Sequence, residues 1–336
     1  MKVVVLTTSY PRHPGDVAGT FVHAQVEHLR AAGVDVNVVS PVSFRHYGIA
    51  YGDGIFNNLR RRPWLIALLP LFLSGYARAA RRAAAQANLI HAHWLPSAIP
   101  ALATRTPFVL QLWGSDVALA RRIPWLVRPL IRRACVVVCA SNALAEDARR
   151  LGAERIEVIP TGIEIPEHVG EPDEPPHVLY VGRLSEEKGV RELAEAACGL
   201  PLVVVGDGPL RSLFPQARGF VPPSELGAHY ERAAIVVVPS RREGYGMVAR
   251  EAMAHGRPVV ASEVGGLLDA VADEVTGLVV PPSDPHALHA ALVRLLGDIE
   301  LRERLGAAAR EHISAHASEA VASERMVALY REVCGG

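Results

Sequence analysis

Lysine is almost missing from this 336-residue chain. Only Lys2 and Lys188 occur, against 33 arginines. A high-GC genome accounts for such a bias, yet it makes Lys188 an unusual choice for its neighbourhood. Cysteine is scarce as well. Cys135, Cys139, Cys198 and Cys334 are too few for a disulfide scaffold in a chain this long, and they fit a reducing, cytoplasmic setting. Net charge is zero and the pI is near 7.3, which excludes a nucleic-acid binder driven by bulk charge. Long apolar runs are missing too. The opening Met1–Thr8 stretch is broken at once by Tyr10-Pro11-Arg12-His13-Pro14, so no secretory signal is expected. The longest apolar run, Trp64–Ala77, contains Pro70 and is shorter than the roughly 20 residues that span a bilayer.

What is present is apolar material for two cores. Half of the residues are hydrophobic, and the length suits two domains at roughly 100–200 residues each. Short continuous apolar runs bounded by turn residues read as buried parallel strands. They occur at Val3–Leu6, Val34–Val39, Leu89–His93, Phe108–Leu112, Cys135–Cys139 and Ile156–Ile159. After a proline- and acid-rich stretch they restart at Val178–Val181, Leu202–Val205, Ile235–Val238, Pro258–Ala261 and Gly277–Val280. Helical segments alternate with them, and helices over 285–297 and 300–334 close the chain. The expectation is an α/β protein with two Rossmann-like, doubly wound parallel-sheet domains. A first domain over 1–165, a linker over 166–177 and a second domain over 178–336 follow, with the last helix free to cross back. Ligands of open parallel sheets bind at the carboxyl ends of the strands, so two such domains are expected to face each other across a cleft.

Three segments at strand ends carry candidate chemistry. In Gly182-Arg183-Leu184-Ser185-Glu186-Glu187-Lys188-Gly189, Arg183 and Lys188 put two cations beside a helix start, a setting that suits a diphosphate. A solvated turn with two surface cations is the plainer account. Val205-Gly206-Asp207-Gly208-Pro209 starts like a dinucleotide fingerprint but has Arg211 where the third glycine belongs, so Gly206 and Gly208 read as a tight turn. The most specific segment runs from Pro239 to Glu251, with Gly244 and Gly246 between Glu243 and Glu251. A helix starting near Met247 leaves its first amides as unpaired donors. Eight helical residues rise about 12 Å, the reach from the ribose to the sugar of a nucleotide-sugar, and each carboxylate can accept from a diol. Two unrelated surface glutamates are the alternative.

Taken together these segments resemble the retaining, nucleotide-sugar-dependent glycosyltransferases of group 1 (glycosyltransferase family four, GT-B fold). The resemblance covers nearly the whole chain. It is carried also by Asp16-Val17-Ala18-Gly19-Thr20, Leu89-Ile90-His91-Ala92-His93-Trp94, Trp113-Gly114-Ser115-Asp116, Ile159-Pro160-Thr161-Gly162, and Gly256-Arg257-Pro258 with Gly265-Gly266. It implies that Arg183 and Lys188 bind the donor diphosphate and offset its charge as the bond to the sugar breaks. Glu251 would hold ribose hydroxyls and Glu243 those of the transferred sugar. Gly208 and the backbone of Gly246, Met247 and Val248 would touch phosphate and sugar, and Gly19 would close over the donor. Trp113, Asp116 and His93 fall on the acceptor side, with Asp116 alternatively a helix cap, His93 alternatively structural, and Trp113 alternatively stacked on donor sugar or simply packed. The resemblance implies a transferase in cell-envelope or exopolysaccharide synthesis, with a nucleoside-diphosphate sugar as donor, a glycan or lipid-linked acceptor, no cofactor and no metal. The chain departs from the family where Trp113 stands in place of a common histidine before the Gly-Ser-Asp element. Two other readings stay open: a catalytically degenerate nucleotide-sugar-binding partner subunit, which Trp113 motivates, and a nucleotide-sugar epimerase.

The zero net charge conceals an asymmetry. Residues 1–170 carry 19 basic and 11 acidic side chains, and 53–133 hold 12 arginines against Asp53 and Asp116. Arg60-Arg61-Arg62-Pro63-Trp64 and Arg121-Arg122-Ile123-Pro124-Trp125 set arginine beside tryptophan, the composition of a segment lying on an anionic membrane. Core-facing helices with solvated arginines would look similar. The expected location is cytoplasmic, with a candidate peripheral contact on the inner membrane face.

Overall fold

A computed structural model describes residues 1–13, 16, 18–51 and 54–335, without the side chains of 115, 118 and 119. Val17 of the first glycine-containing loop lies outside the described residues. The chain divides into two units, Met1–Thr161 with Ala322–Gly336, and Gly162–Val321. The division falls ahead of the 166–177 stretch expected as a linker. That stretch packs on the second unit instead: the Asp173 amide donates to the Arg232 carbonyl at 2.9 Å, and the Asp173 carboxylate pairs with the Arg232 guanidinium at 3.0 Å.

The first unit is built on six parallel strands: β1 (Lys2–Leu6), β2 (Asp35–Val39), β3 (Leu89–His93), β4 (Phe108–Leu112), β5 (Val136–Cys139) and β6 (Ile156–Val158). Their order is β2-β1-β3-β4-β5-β6. Helices cover the sheet, and its central strands β3, β4 and β5 are buried at every residue. Buried central strands of this kind are continuous apolar runs rather than alternating ones. Val3, Val5, Val109, Val136 and Val138 pack against Val22, Val26 and Leu29 of the helix Thr20–Ala31. Met326, Leu329 and Tyr330 of the last helix complete this core. The Tyr330 hydroxyl meets His91 Nδ1 at 2.5 Å inside it.

The second unit has five parallel strands: β7 (Val178–Val181), β8 (Leu202–Val205), β9 (Ile235–Val238), β10 (Val259–Ser262) and β11 (Gly277–Val280), in the order β11-β10-β9-β7-β8. Val178, Tyr180 and Val237 of the sheet pack on Val190, Leu193, Leu288 and Leu292 of its helices. Asp284 and Asp298 start the closing helices by accepting from Ala287 and Leu301 amides, each at 2.9 Å.

Four expectations are corrected. The helix over 300–334 is two helices, Ile299–His316 and Glu319–Gly335. Ile163 interrupts it, donating its amide to the Ala317 carbonyl and accepting from the Glu319 amide. A helix at Pro223–Arg232 was not anticipated. Cys135 is exposed, because the buried strand starts one residue later. The apolar run at Trp64 continues as helix over Pro63–Ala84, 22 residues, long and apolar enough to cross a membrane by length and composition alone. Phe72, Tyr76, Ala80 and Ala84 recur on one face of it and are buried in the first unit, with the Tyr76 hydroxyl 3.1 Å from Ser97 Oγ.

The last helix's place in the first core is testable. All four tryptophans belong to the first unit, so their fluorescence reports its unfolding alone. Met326 is 1% exposed, and Met326→Ala is expected to cost about 2–5 kcal/mol and to lower the urea midpoint read by tryptophan. An unmoved tryptophan midpoint would contradict the packing.

Candidate active site

In an open parallel sheet the binding crevice opens where strand order reverses. In the second unit that point lies between β7 and β9, whose following loops are 182–189 and 239–246. These loops are stitched together by backbone. The Arg241 amide donates to the Glu187 carbonyl at 3.0 Å. Gly189, at φ 66°, lies so close to Pro239 that a Cβ would fall 1.8 Å from its carbonyl oxygen. The loop after β8 joins the group, since a Cβ on Gly208 would sit 2.4 Å from the Leu184 carbonyl oxygen. Leu184 and Asp207 exchange a further backbone bond of 2.9 Å. The side chain of Arg241 holds the buried Glu192 at 2.6 Å and so ties the second loop to the helix Val190–Ala196.

The charged side chains anticipated for this edge come together in part. Lys188 Nζ and Glu243 Oε2 form an ion pair at 2.7 Å, and Ser240 Oγ donates to the same oxygen at 3.3 Å. The Arg183 side chain is exposed and makes no ion pair among the described residues. The helix that follows is Met247–Ala254, started by Gly246 at φ 82°. Its first amides, from Gly246, Met247 and Val248, have no acceptor within the helix. The separation of Glu243 from Glu251 is therefore not eight helical residues. A glycine turn comes first, and only about one helical turn precedes Glu251.

Glu251 is held by a residue the sequence reading passed over. The hydroxyl of buried Tyr230, on the helix Pro223–Arg232, donates to Glu251 Oε2 at 2.6 Å. Arg257 Nε in turn holds the Tyr230 carbonyl at 3.1 Å. Burial raises the pKa of Glu251, and the Tyr230 bond opposes that rise by favouring the carboxylate. A tyrosine late in an unrecognised helix gave no signal of this role.

The first-unit candidates lie at the carboxyl edge of its own sheet. Gly19, at φ 65°, starts the helix Thr20–Ala31, and a Cβ there would fall 2.3 Å from the Ser9 carbonyl oxygen. Asp116 is buried, and its carboxylate accepts from the amides of Leu95, Trp113, Gly114 and Val117 at 3.0–3.2 Å. It caps backbone and joins two loops, the second of the two roles open to it in the sequence. His93 is 1% exposed and lies under Trp113, with ring centroids 5.8 Å apart and planes 18° apart. Burial pushes its pKa well below the ordinary imidazole value. The ring packs beneath Trp113, in keeping with a structural role for His93. Phe21 packs on the same indole at 4.5 Å. Among the described residues no group of three or more His, Cys, Asp or Glu is arranged to hold a metal ion.

Two family descriptions match the chain in succession: Glycosyltransferase Family 4 over residues 18–166 and Glycosyl transferases group 1 over 163–312. Among curated relatives, TuaC of Bacillus subtilis, a glycosyltransferase named for teichuronic acid biosynthesis, is 29% identical over 88% of this chain and 89% of its own length. The alpha-D-kanosaminyltransferase of Streptomyces kanamyceticus is 33% identical over 62% of this chain and 63% of its own. Among solved structures, sucrose-phosphate synthase from Thermosynechococcus elongatus superposes with a TM-score of 0.82 at 24% identity, covering 99% of both chains. HepE of Anabaena, in complex with UDP-glucose, gives 0.74 at 19% identity over 99% of this chain and 100% of its own.

The Tyr230 contact predicts a titration. In Tyr230→Phe the Glu251 carboxylate loses a bond that favours its charged form, so its carboxyl carbon signal should titrate at higher pH than in the wild type. A pKa raised above the unfolded value means that the neutral form's stabilisation, full below the unfolded pKa, is lost as pH rises through the folded one. That loss should be larger in the variant. An unchanged or lower titration midpoint would remove Tyr230 from the site.

Proposed function

The chain belongs to the group 1, family four glycosyltransferases with the GT-B fold, and from that premise we propose a retaining, metal-independent enzyme that takes its sugar from a nucleoside-diphosphate donor. The acceptor in this reading is a glycan or a lipid-linked precursor of a cell-envelope polysaccharide. The observation that carries the reading is the Lys188–Glu243 pair set beside the open start of the helix Met247–Ala254. A cation, a carboxylate and free helix amides are what a charged diphosphate joined to a polyhydroxylated sugar requires. Heterolysis of the bond between the sugar C1 and the phosphate oxygen leaves the electron pair on the diphosphate. In this reading Arg183, Lys188 and the amides of Gly246, Met247 and Val248 offset that charge, which lowers the barrier through the leaving group. They supply this without a divalent ion. Glu243 accepts sugar hydroxyls, Glu251 accepts from the ribose, and Gly208 keeps the third loop close to the phosphates. Trp113 offers an indole face for acceptor sugar. The names of TuaC and of the HepE complex agree with this donor and pathway class.

Nucleoside diphosphates and their sugars, with uracil and guanine tested side by side, should raise the melting temperature. A ligand at one hundred times its Kd stabilises by about 2.7 kcal/mol. Glu251→Ala should weaken the best nucleotide about tenfold or more, and sugar transfer should persist in EDTA with the donor's anomeric configuration kept. Binding without transfer or donor hydrolysis would favour the degenerate partner subunit. No stabilisation by any nucleotide would end the donor reading.

The enzyme's place, in the same proposal, is the cytoplasmic face of the membrane, held at its surface. Trp64 and Trp125 are 62% and 74% exposed, and Ile66, Leu71 and Leu126 are exposed near them in sequence. The helix Leu95–Leu102 packs against both Leu69–Ala84 and Pro124–Arg132, so these side chains belong to one helical layer. Arg60, Arg62, Arg122 and Arg128 are exposed and make no ion pair among the described residues. Each is worth about 1 kcal/mol near an anionic surface. The buried face of Pro63–Ala84 favours a helix lying on a bilayer over one crossing it. Vesicles containing phosphatidylglycerol should float the protein at low salt, with blue-shifted tryptophan emission, and carbonate should release it. Trp64→Ser with Trp125→Ser should weaken flotation several-fold. Equal flotation with purely zwitterionic vesicles, or none with anionic ones, would count against the surface.

A further inference from the structure

Arg250 is 4% exposed, the most deeply buried cation of the second unit's described candidates near the Glu243 loop. It is the fourth residue of the helix Met247–Ala254, and its side chain turns back toward the loop that starts the helix. Nη1 donates to the Tyr245 carbonyl, and to the Gly266 carbonyl at 3.3 Å. The guanidinium carbon lies 3.8 Å from the centre of the Tyr245 ring. Asp269 and Glu243 are near enough to favour its charged form against burial. Burying a guanidinium is costly unless its donors are used, and here two main-chain oxygens take Nη1 while the Tyr245 ring lies over the guanidinium.

The consequence follows from peptide geometry. A trans peptide is planar, and its C=O and N–H point to opposite sides. Fixing the Tyr245 carbonyl on Arg250 fixes the Gly246 N–H in the opposite sense, away from the guanidinium. Without that tie the 245–246 peptide could turn over. The turn changes ψ of Tyr245 and φ of Gly246, and glycine accepts either outcome at little cost. Glycine is favoured at this position anyway, since its φ of 82° strains any other residue. The loop therefore carries a residue that permits two peptide orientations and a buried cation that selects one. The second tie has a related effect. Gly265 and Gly266 press on the carbonyls of Glu243 and Gly244, at 2.1 and 2.4 Å from a built Cβ, and the Gly266 amide donates to the Glu243 carbonyl at 3.0 Å. Arg250 thus holds both the amide turn and the segment that backs Glu243.

We propose that Arg250 is a positioning residue that locks the Tyr245–Gly246 peptide so that its N–H faces the phosphate of the bound donor. The inference rests on the nucleotide-sugar reading and goes beyond it in naming a residue that never touches the ligand. It separates two parts of the ligand: the amide turn serves the diphosphate, whereas Glu251 serves the ribose.

The test compares nucleoside with nucleoside diphosphate, using uridine with UDP and guanosine with GDP, on the full-length chain. Arg250→Gln should weaken the bound diphosphate about tenfold or more and leave the nucleoside within about twofold. Arg250→Lys, which keeps the charge and one donor, should recover part of the loss. Melting temperatures read alongside identify a variant that has simply unfolded, and Arg250→Lys then carries the comparison. Equal weakening of nucleoside and diphosphate, or no weakening of either, would overturn the role of Arg250 while the donor reading stands. A wild-type chain that binds none of the four ligands defeats the donor reading and this inference with it.

Discussion

Of the loops at the carboxyl edge of the second sheet, the four after β7, β8, β9 and β10 touch one another main chain to main chain. Gly206 lies on the Gly182 carbonyl, Gly208 on Leu184, Gly189 on Pro239 and Gly265 on Glu243, all closer than a Cβ permits. Side chains are excluded from the seams, so the loops form one continuous backbone surface with few ways to slide. Only on such a surface can Lys188 and Glu243, 55 residues apart, be held at 2.7 Å. Polar contacts then fix the orientation that close packing allows: Arg241 on Glu192, Tyr230 on Glu251 and Arg250 on the loop carbonyls.

The strands were legible because of where they lie. A parallel strand covered on both faces is apolar at most positions, and short runs such as Val136–Cys139 and Ile235–Val238 have no competing helical period. The helix Pro223–Arg232 was not legible. It opens on a pair of prolines and contains Gly227, so local signals favour a loop, and its only buried residue is Tyr230. The break at Ala317–Ser318 was invisible for another reason. It is made by Ile163, more than 150 positions away, and no local residue announces it. Tertiary bonding decides such points, and propensity does not reach them.

The candidate site divides along the same line. Residues expected to meet a ligand stand at strand ends among glycines, and that context is local, so Lys188, Glu243 and Glu251 could be singled out by spacing. Residues that hold those residues have no local context. Arg250 is one arginine among 33, and Tyr230 one tyrosine among eight. In the first unit the sequence left two roles open for His93 and Asp116, because residue type alone does not report depth. The structure buries His93 beneath Trp113 and sets the Asp116 carboxylate on backbone amides.

Lys188 shows what the rarity of lysine means. An arginine facing Glu243 would match the carboxylate with two parallel bonds and hold it in a fixed plane. A pair so closed leaves both groups committed to each other. The lysine ammonium is a compact charge with three donors on a flexible stem. It can keep one bond to Glu243 and still offer the others to an arriving anion. Glu243 in turn keeps Oε1 clear of Lys188 and Ser240, both of which use Oε2. The pair is thus closed enough to fix two loops while Glu243 Oε1 takes no part in it. In a chain that otherwise chooses arginine almost everywhere, this is the position where a fork would be the wrong shape.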